Sequence, residues 1–395
     1  MAELLTADGL AGVHGAAAGH VGDGKVPGLV AVVARGDQVH AEVLGSLAVG
    51  GPPVRRDSLF RIASITKPVT GVATLALAAE GRLRLDEPVD QLLPELAGRR
   101  VLRRMDGPLD DTVPARRAIT VRDLLTFTFG FGFAADMFGA MSGAAERWPV
   151  ISAENRLQLS TLGEPDPARQ PDPDTWMAGL GSLPLLAQPG ERWFYNTGAS
   201  VLGVLCARAA GQPFGAVLRS RVFEPLGMRD TGFWTAETGR LATAYRPAPA
   251  GLRVWDEPGG VWSKPPPFED GAAGLVSTAD DLLALSRMLL RGGAPVLSAR
   301  AAAELTRDQL TTGQKAHGGL GPGFFDAVSW GYCVSVVTGG ERAGAFGWAG
   351  GFGSTWLADP GPDLTVIVLT QRTFDGPGGH PLHDDVQAAA YAALG

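Results

Sequence analysis

The chain of 395 residues has only two cysteines, Cys206 and Cys333. They show neither the C-x-x-C spacing of a redox pair nor the ligand spacing of a zinc site, so two buried free thiols are expected. Lysine is nearly as scarce, with only Lys25, Lys67, Lys264 and Lys315. Acidic side chains outnumber basic ones 41 to 34, for a net charge of −7. No basic stripe exists to track a phosphate backbone, which argues against nucleic acid as a partner. The local pairs Arg55-Arg56, Arg99-Arg100 and Arg103-Arg104 read as solvated turns and helix surfaces. The six histidines (14, 20, 40, 317, 380 and 383) are scattered. There is no H-E-x-x-H, and His380 and His383 read as turn residues before the last helix, so no metal and no other cofactor is expected. The G-x-S-x-G elbow of α/β-hydrolases is missing, as is the G-x-x-x-x-G-K-[ST] phosphate cradle. No apolar run reaches 18 residues, and the first Lys or Arg is Lys25. Neither a membrane span nor a secretory signal is expected, and the expected location is cytoplasmic.

What is present is enough for a large core, in two lobes or domains, with 45% apolar residues. Residues 3–22 read as an Ala-rich helix. Gly28 to Ala34 and Val39 to Leu44 read as strands about an Arg35-Gly36-Asp37-Gln38 turn. Thr120 with Asp123 reads as an N-cap opening a helix through Leu124-Leu125, and Thr278-Ala279-Asp280-Asp281 caps a helix from Leu282 to Leu290. Residues 130–190 lack sustained periodicity and read as a long irregular excursion, and 249–268 as loop. Strands are expected at about 328–338, 343–349, 353–358 and 364–371, and a final helix from Asp384 to Leu394. The fold class is α+β. An antiparallel sheet is flanked by the terminal helices in a lobe of about 1–63 and 240–395. A mostly helical lobe covers about 64–239.

One short segment carries the chemistry. Ser64-Ile65-Thr66-Lys67 follows the β-prone Ser58 to Ala63 and precedes a run, Pro68 to Glu80, with helical apolar spacing. Pro68 is tolerated near a helix start. Ser64 and Lys67 therefore share one face, a turn apart. A serine hydroxyl is a poor nucleophile until a neighbour takes its proton, and an adjacent amine can do so when burial favours its neutral form. Two further segments supply context: Pro189-Gly190-Glu191-Arg192-Trp193-Phe194-Tyr195-Asn196-Thr197-Gly198, ahead of an apolar helix, and Gly347-Trp348-Ala349-Gly350-Gly351-Phe352-Gly353-Ser354-Thr355-Trp356, in the strand-rich region.

From about Pro27 onward, these segments and their order resemble the serine β-lactamase and penicillin-binding-protein superfamily. Within it, the chain is most similar to the class C β-lactamase-like family VIII carboxylesterases. Ile119 to Thr126 and Ala273 to Leu282 also match. The resemblance implies a β-lactamase/transpeptidase-like fold and a serine hydrolase that forms an acyl-serine intermediate. It implies Ser64 as nucleophile and Lys67 and Tyr195 as proton-transfer partners, either of which could be the formal base. The amides of Ser64 and Gly351 would form the oxyanion hole. Where β-lactamases and transpeptidases have Lys-Thr-Gly, this chain has Trp348-Ala349-Gly350, so a carboxylate-anchoring cation is replaced by an indole. Thr197 stands at the expected Asn position after Tyr195, and Phe127 and Phe129 replace polar residues of many relatives. These departures point to a neutral, apolar small-molecule ester or acyl substrate.

Phe131, Phe133, Met137, Phe138, Met141, Trp148, Trp176 and Met177 recur in the irregular segment. Of these, Phe131, Met137 and Trp176 are candidates for an acyl or alcohol pocket. The alternatives are an acyltransferase or thioesterase working through the same acyl-enzyme, a β-lactamase or D,D-peptidase, and a non-catalytic ligand-binding module.

Overall fold

The segment Gly28–Arg35 (β1) is almost wholly apolar because both of its faces are buried. Successive strand side chains point to opposite sides. Leu29, Ala31 and Val33 join one hydrophobic cluster with Val13, Ala17, Leu382, Val386 and Ala390 of the terminal helices. Val30, Val32 and Ala34 join the other, main core. Each such Val or Leu contributes about 1.5–3 kcal/mol on burial. In the computed structural model, which describes residues 4–22, 26–134, 137, 148–159, 166–316, 318–376 and 379–395, β1 lies inside a seven-stranded antiparallel sheet.

The other strands are β2 (Gln38–Gly45), β3 (Val328–Trp330), β4 (Ser335–Val337), β5 (Phe346–Gly350), β6 (Ser354–Asp359) and β7 (Leu364–Thr370), in the order β2-β1-β7-β6-β5-β4-β3. Helices α1 (Ala7–Gly22) and α6 (Pro381–Ala392) pack against each other and cover one face. His380 caps α6 by accepting from the Leu382 N–H at 3.2 Å, as its turn position implied, whereas His383, also read as a turn residue, is buried inside the helix. On the other face are α2 (Thr66–Ala79), α3 (Val121–Leu125), α4 (Thr197–Ala210) and α5 (Ala279–Leu290). The capping box at Thr120 and Asp123 and the Thr278 cap both form. Cys206 and Cys333 are free and buried. Among the described residues no single helix is long and apolar enough to cross a membrane.

Three expectations are corrected. The excursion at 130–190 contains helices at Pro149–Arg156 and Pro173–Ser182. Asp172 caps the second by accepting from the Asp174 and Thr175 amides, and Pro173 occupies its first turn. Phe138 and Met141 lie outside the described residues. The supposed loop at 249–268 includes the strand Gly251–Asp256, paired with Ala244–Ala248. Its Asp256 forms a buried ion pair with Arg61, just ahead of Ser64, and that guanidinium lies over the Trp255 and Trp262 rings. The supposed strand 328–338 breaks into β3 and β4. Between them the backbone leaves the ladder: the Tyr332 N–H donates to Leu305 O at 3.0 Å and the Cys333 N–H to Leu125 O at 2.9 Å.

Candidate active site

Ser64 sits in a 3₁₀ turn, Ala63–Ile65, that runs straight into α2. Lys67, one turn on, is fully buried, and its Nζ donates to Ser64 Oγ at 2.8 Å and to the Ala272 carbonyl at 2.7 Å. The segment supplying that carbonyl is tied to α2 at several points. Thr70 Oγ1 donates to Gly271 O at 2.7 Å, and the Leu275 N–H donates to Thr66 Oγ1 at 3.2 Å. The buried threonines of α2 are thus hydrogen-bonded, as interior polar groups must be. Burial lowers the Lys67 pKa to about 7, against the opposing pull of the Asp270 carboxyl.

Tyr195 reaches the site from the turn before α4. Its N–H donates to Phe133 O at 2.7 Å and its carbonyl accepts from the Phe133 N–H at 3.0 Å, while the Phe194 N–H is held by Phe127 O at 2.8 Å. Its ring lies 4.6 Å from Lys67 Nζ and meets Phe127 and Trp330 edge-on. Trp348 Nε1 donates to its phenol oxygen at 2.7 Å. Burial pushes the phenol pKa up to about 12, and hydrogen bonding with Ser64 and Trp348 works against that rise.

The amides expected to form an oxyanion hole are positioned by the packing of β5 against the Ser64 turn. A Cβ on Gly350 would lie 2.2 Å from Ile62 O, so only glycine allows this approach. Gly351, next along, has open space around it. Among the described residues neither its amide nor that of Ser64 has a hydrogen-bond acceptor. Trp348 and Gly350 share one face of the pleat; Ala349 faces the other way, so it can meet a substrate only through its backbone. Thr197 is buried at the start of α4, its N–H donating to Tyr195 O at 3.2 Å.

Backbone strain gathers here. Among the described residues six non-glycine residues have positive φ. Ala63 precedes the serine, Asn196 follows the tyrosine, Phe127 packs on that tyrosine and Cys333 faces the lysine. Such conformations cost energy and persist where the surroundings enforce them, often at reactive sites.

A cavity of about 210 Å³ borders the turn around Ala272, with none of Ser64, Lys67 and Tyr195 in its lining. Trp262, Phe268 and Phe352 supply apolar walls; Asp270, Ala273 and Gly274 border it beside the Ala272 carbonyl. Its cation, Arg169, pairs with Asp166 at 3.1 Å. Phe131, Met137 and Trp176 are core residues outside this lining; Trp176 approaches it only by stacking on Phe268, with ring centroids 5.1 Å apart. Phe268, Phe352 and Asp270 escaped the sequence reading. The one signal for Phe352 was its place directly after Gly351.

Such a sheet with this Ser–Lys–Tyr cluster defines an active-site serine hydrolase of β-lactamase/transpeptidase-like fold. The Beta-lactamase family model matches residues 13–391, and the chain belongs to that family. It is 39% identical over 340 residues to protein Rv1367c of Mycobacterium tuberculosis, covering 82% of this chain and 80% of that protein. It is 33% identical over 392 residues to esterase EstB of Burkholderia gladioli, covering 93% and 91%. The solved structure of EstCE1, described as a hydrolase with promiscuous acyltransferase activity, matches with a TM-score of 0.79 at 26% identity, over 97% of this chain and 99% of that one.

Proposed function

We propose that this protein is a cytoplasmic, cofactor-independent carboxylesterase of the family VIII type, acting on neutral esters through an acyl-Ser64 intermediate. The observation that carries the reading is the fully buried Lys67 amine, 2.8 Å from Ser64 Oγ. A pKa of about 7 leaves much of that amine neutral at neutral pH. Tyr195, near 12, is then protonated. These values favour Lys67 as the base and Tyr195 as the acid.

In the first step Ser64 Oγ attacks the ester carbonyl and its proton passes to Lys67. The Ser64 and Gly351 amides stabilise the resulting oxyanion; donors of this kind are worth about 10²–10³ in rate. The tetrahedral species collapses, the C–O bond to the alcohol breaks, and Tyr195 protonates the departing oxygen. The Lys67 ammonium returns a proton to Tyr195. Water then attacks the acyl-Ser64 carbonyl, releasing the carboxylic acid and restoring the serine. The reacting groups lie between the α/β lobe, about 1–63 and 240–395, and the mostly helical lobe, about 64–239. The apolar cavity walls and the indole of Trp348 favour uncharged acyl chains.

Likeness to esterase EstB supports the ester substrate. Likeness to EstCE1 supports a second reading, in which an alcohol or amine competes with water for the acyl-enzyme. The test is turnover of short p-nitrophenyl esters with intact-mass analysis. The wild type should gain one acyl mass, and Ser64→Ala should lose both the adduct and turnover. Undiminished hydrolysis by Ser64→Ala would reject the nucleophile. Added alcohol that yields transesterified product would establish the second reading.

A further inference from the structure

Asp270 is a buried carboxyl that the reaction scheme above does not use. Its Oδ1 accepts from Ser200 Oγ of α4 at 2.7 Å and from the Ala272 N–H at 2.8 Å. The second bond closes a tight turn through Gly271, where a Cβ would lie 2.4 Å from Ala199 O. That turn presents the Ala272 carbonyl to Lys67 Nζ. Asp270 Oδ2 is buried without a hydrogen-bond partner among the described residues, on the wall of the 210 Å³ cavity. An ionised oxygen so placed acts on its surroundings through its field, which low-dielectric burial strengthens.

We infer that Asp270 is a positioning residue for Lys67, shaping the turn that grips the amine and supplying a counter-charge to it. The inference rests on the reading of Lys67 as the base. The groups facing the amine are the Ser64 hydroxyl, the Tyr195 ring, the Ala272 carbonyl, the Asp270 carboxylate and the Cys333 thiol. Those facing Asp270 are Ser200, the Ala272 amide, Gln170 and Lys67. Burial pushes the Cys333 thiol up, which leaves Asp270 as the carboxyl that can offset the charge of Lys67. Burial raises the Asp270 pKa while Ser200, Ala272, Lys67 and Gln170 oppose the rise, so carboxyl and amine titrate as a pair.

The hydrogen bonds from Ser200 and the Ala272 amide end on Oδ1, so Asp270→Asn can keep them while removing the charge. An opposite charge nearby favours a cation by about 1–3 pKa units. In Asp270→Asn the acidic limb of kcat/KM for a neutral p-nitrophenyl ester should therefore move to lower pH by about one unit. A purely structural role would lower the plateau without moving the limb. Ser200→Ala, which weakens the hold on the carboxylate, should shift the limb the same way by less, and serves if Asp270→Asn does not fold. A limb that stays in place in the folded variant overturns the inference. Full activity in Lys67→Ala would overturn the base assignment as well, so the two failures are distinguishable.

Discussion

Trp348 donates its indole N–H to the phenol oxygen of Tyr195 at 2.7 Å, and its ring stands edge-on to Trp330 with centroids 4.8 Å apart. The residue that stands where β-lactamases and transpeptidases have lysine thus keeps a hydrogen-bond donor at the Tyr195 oxygen while giving up the charge. A neutral donor on a buried hydroxyl is worth about 0.5–1.5 kcal/mol. Trp348→Phe keeps the ring packing and removes the donor. We expect kcat to fall by about tenfold, the equivalent of about 1.4 kcal/mol, with KM for a short neutral ester little changed. Steady-state kinetics with a thermal melt as a folding control checks this; an unchanged kcat would reduce the indole to packing.

The proposed mechanism sets a pH dependence through Lys67 and Tyr195. In it Lys67 is neutral when it accepts the serine proton, so activity should rise with pH through its value of about 7 and be lost below it. Tyr195 must be protonated to serve as acid, and with a pKa near 12 it stays so across the working range. The profile of kcat/KM should be a rise to a plateau, not a bell. A descending limb between pH 8 and 10, after subtraction of spontaneous hydrolysis, would contradict the assignment of Tyr195.

Much of this was legible in the sequence where local rules and global fold agree. The helical period after Pro68 places Lys67 one turn from Ser64, and the capping residues at Thr120 and Thr278 mark helix starts that form as read. The breaks came where tertiary contacts decide. Tyr332 and Cys333 lie in a run of strand-like composition, yet their amides bond to Leu305 and Leu125 of the helical layer. Proline around Gly251–Asp256 hid a strand held by the Arg61–Asp256 pair, 195 positions apart. The cavity wall was hardest to read. Phe268 and Phe352 come from distant loops, and no spacing rule links them, whereas Trp176 looked exposed to ligand because its helix was not recognised.

Two adjacent glycines of β5 and its turn make opposite demands. A methyl on Gly350 would lie 2.2 Å from Ile62 O and 2.4 Å from Ser354 Oγ, forcing the strand off the Ser64 turn. Gly351 meets nothing within 4 Å and lies outside the positive-φ residues. Gly350→Ala should lower both the melting temperature and kcat, by at least tenfold for the latter, since misplacing the proposed oxyanion donors would cost about 10²–10³ at the limit. Gly351→Ala keeps its amide and should fold like the wild type. Comparable stability loss in the two variants would show that the close approach to Ile62 is not what the glycine serves.

Trp176 and Phe268 stack at 5.1 Å, but only Phe268 borders the cavity. Shortening each should therefore have a different effect. Phe268→Ala opens the wall, and relative kcat/KM for p-nitrophenyl esters should move toward longer acyl chains by several-fold. Trp176→Ala removes a fully buried indole whose N–H donates to Leu159 O at 3.1 Å. Its cost is stability, about 3–5 kcal/mol, read as a lower denaturation midpoint. Met137→Ala, also in the core, should destabilise by about 2–5 kcal/mol and leave the chain-length profile unchanged. Ratios across a series of esters separate the two effects, because a loss of folded enzyme scales every substrate equally while a reshaped wall does not. If Trp176→Ala shifted the ratios as strongly as Phe268→Ala, the pocket would have to extend behind Phe268 to the indole itself.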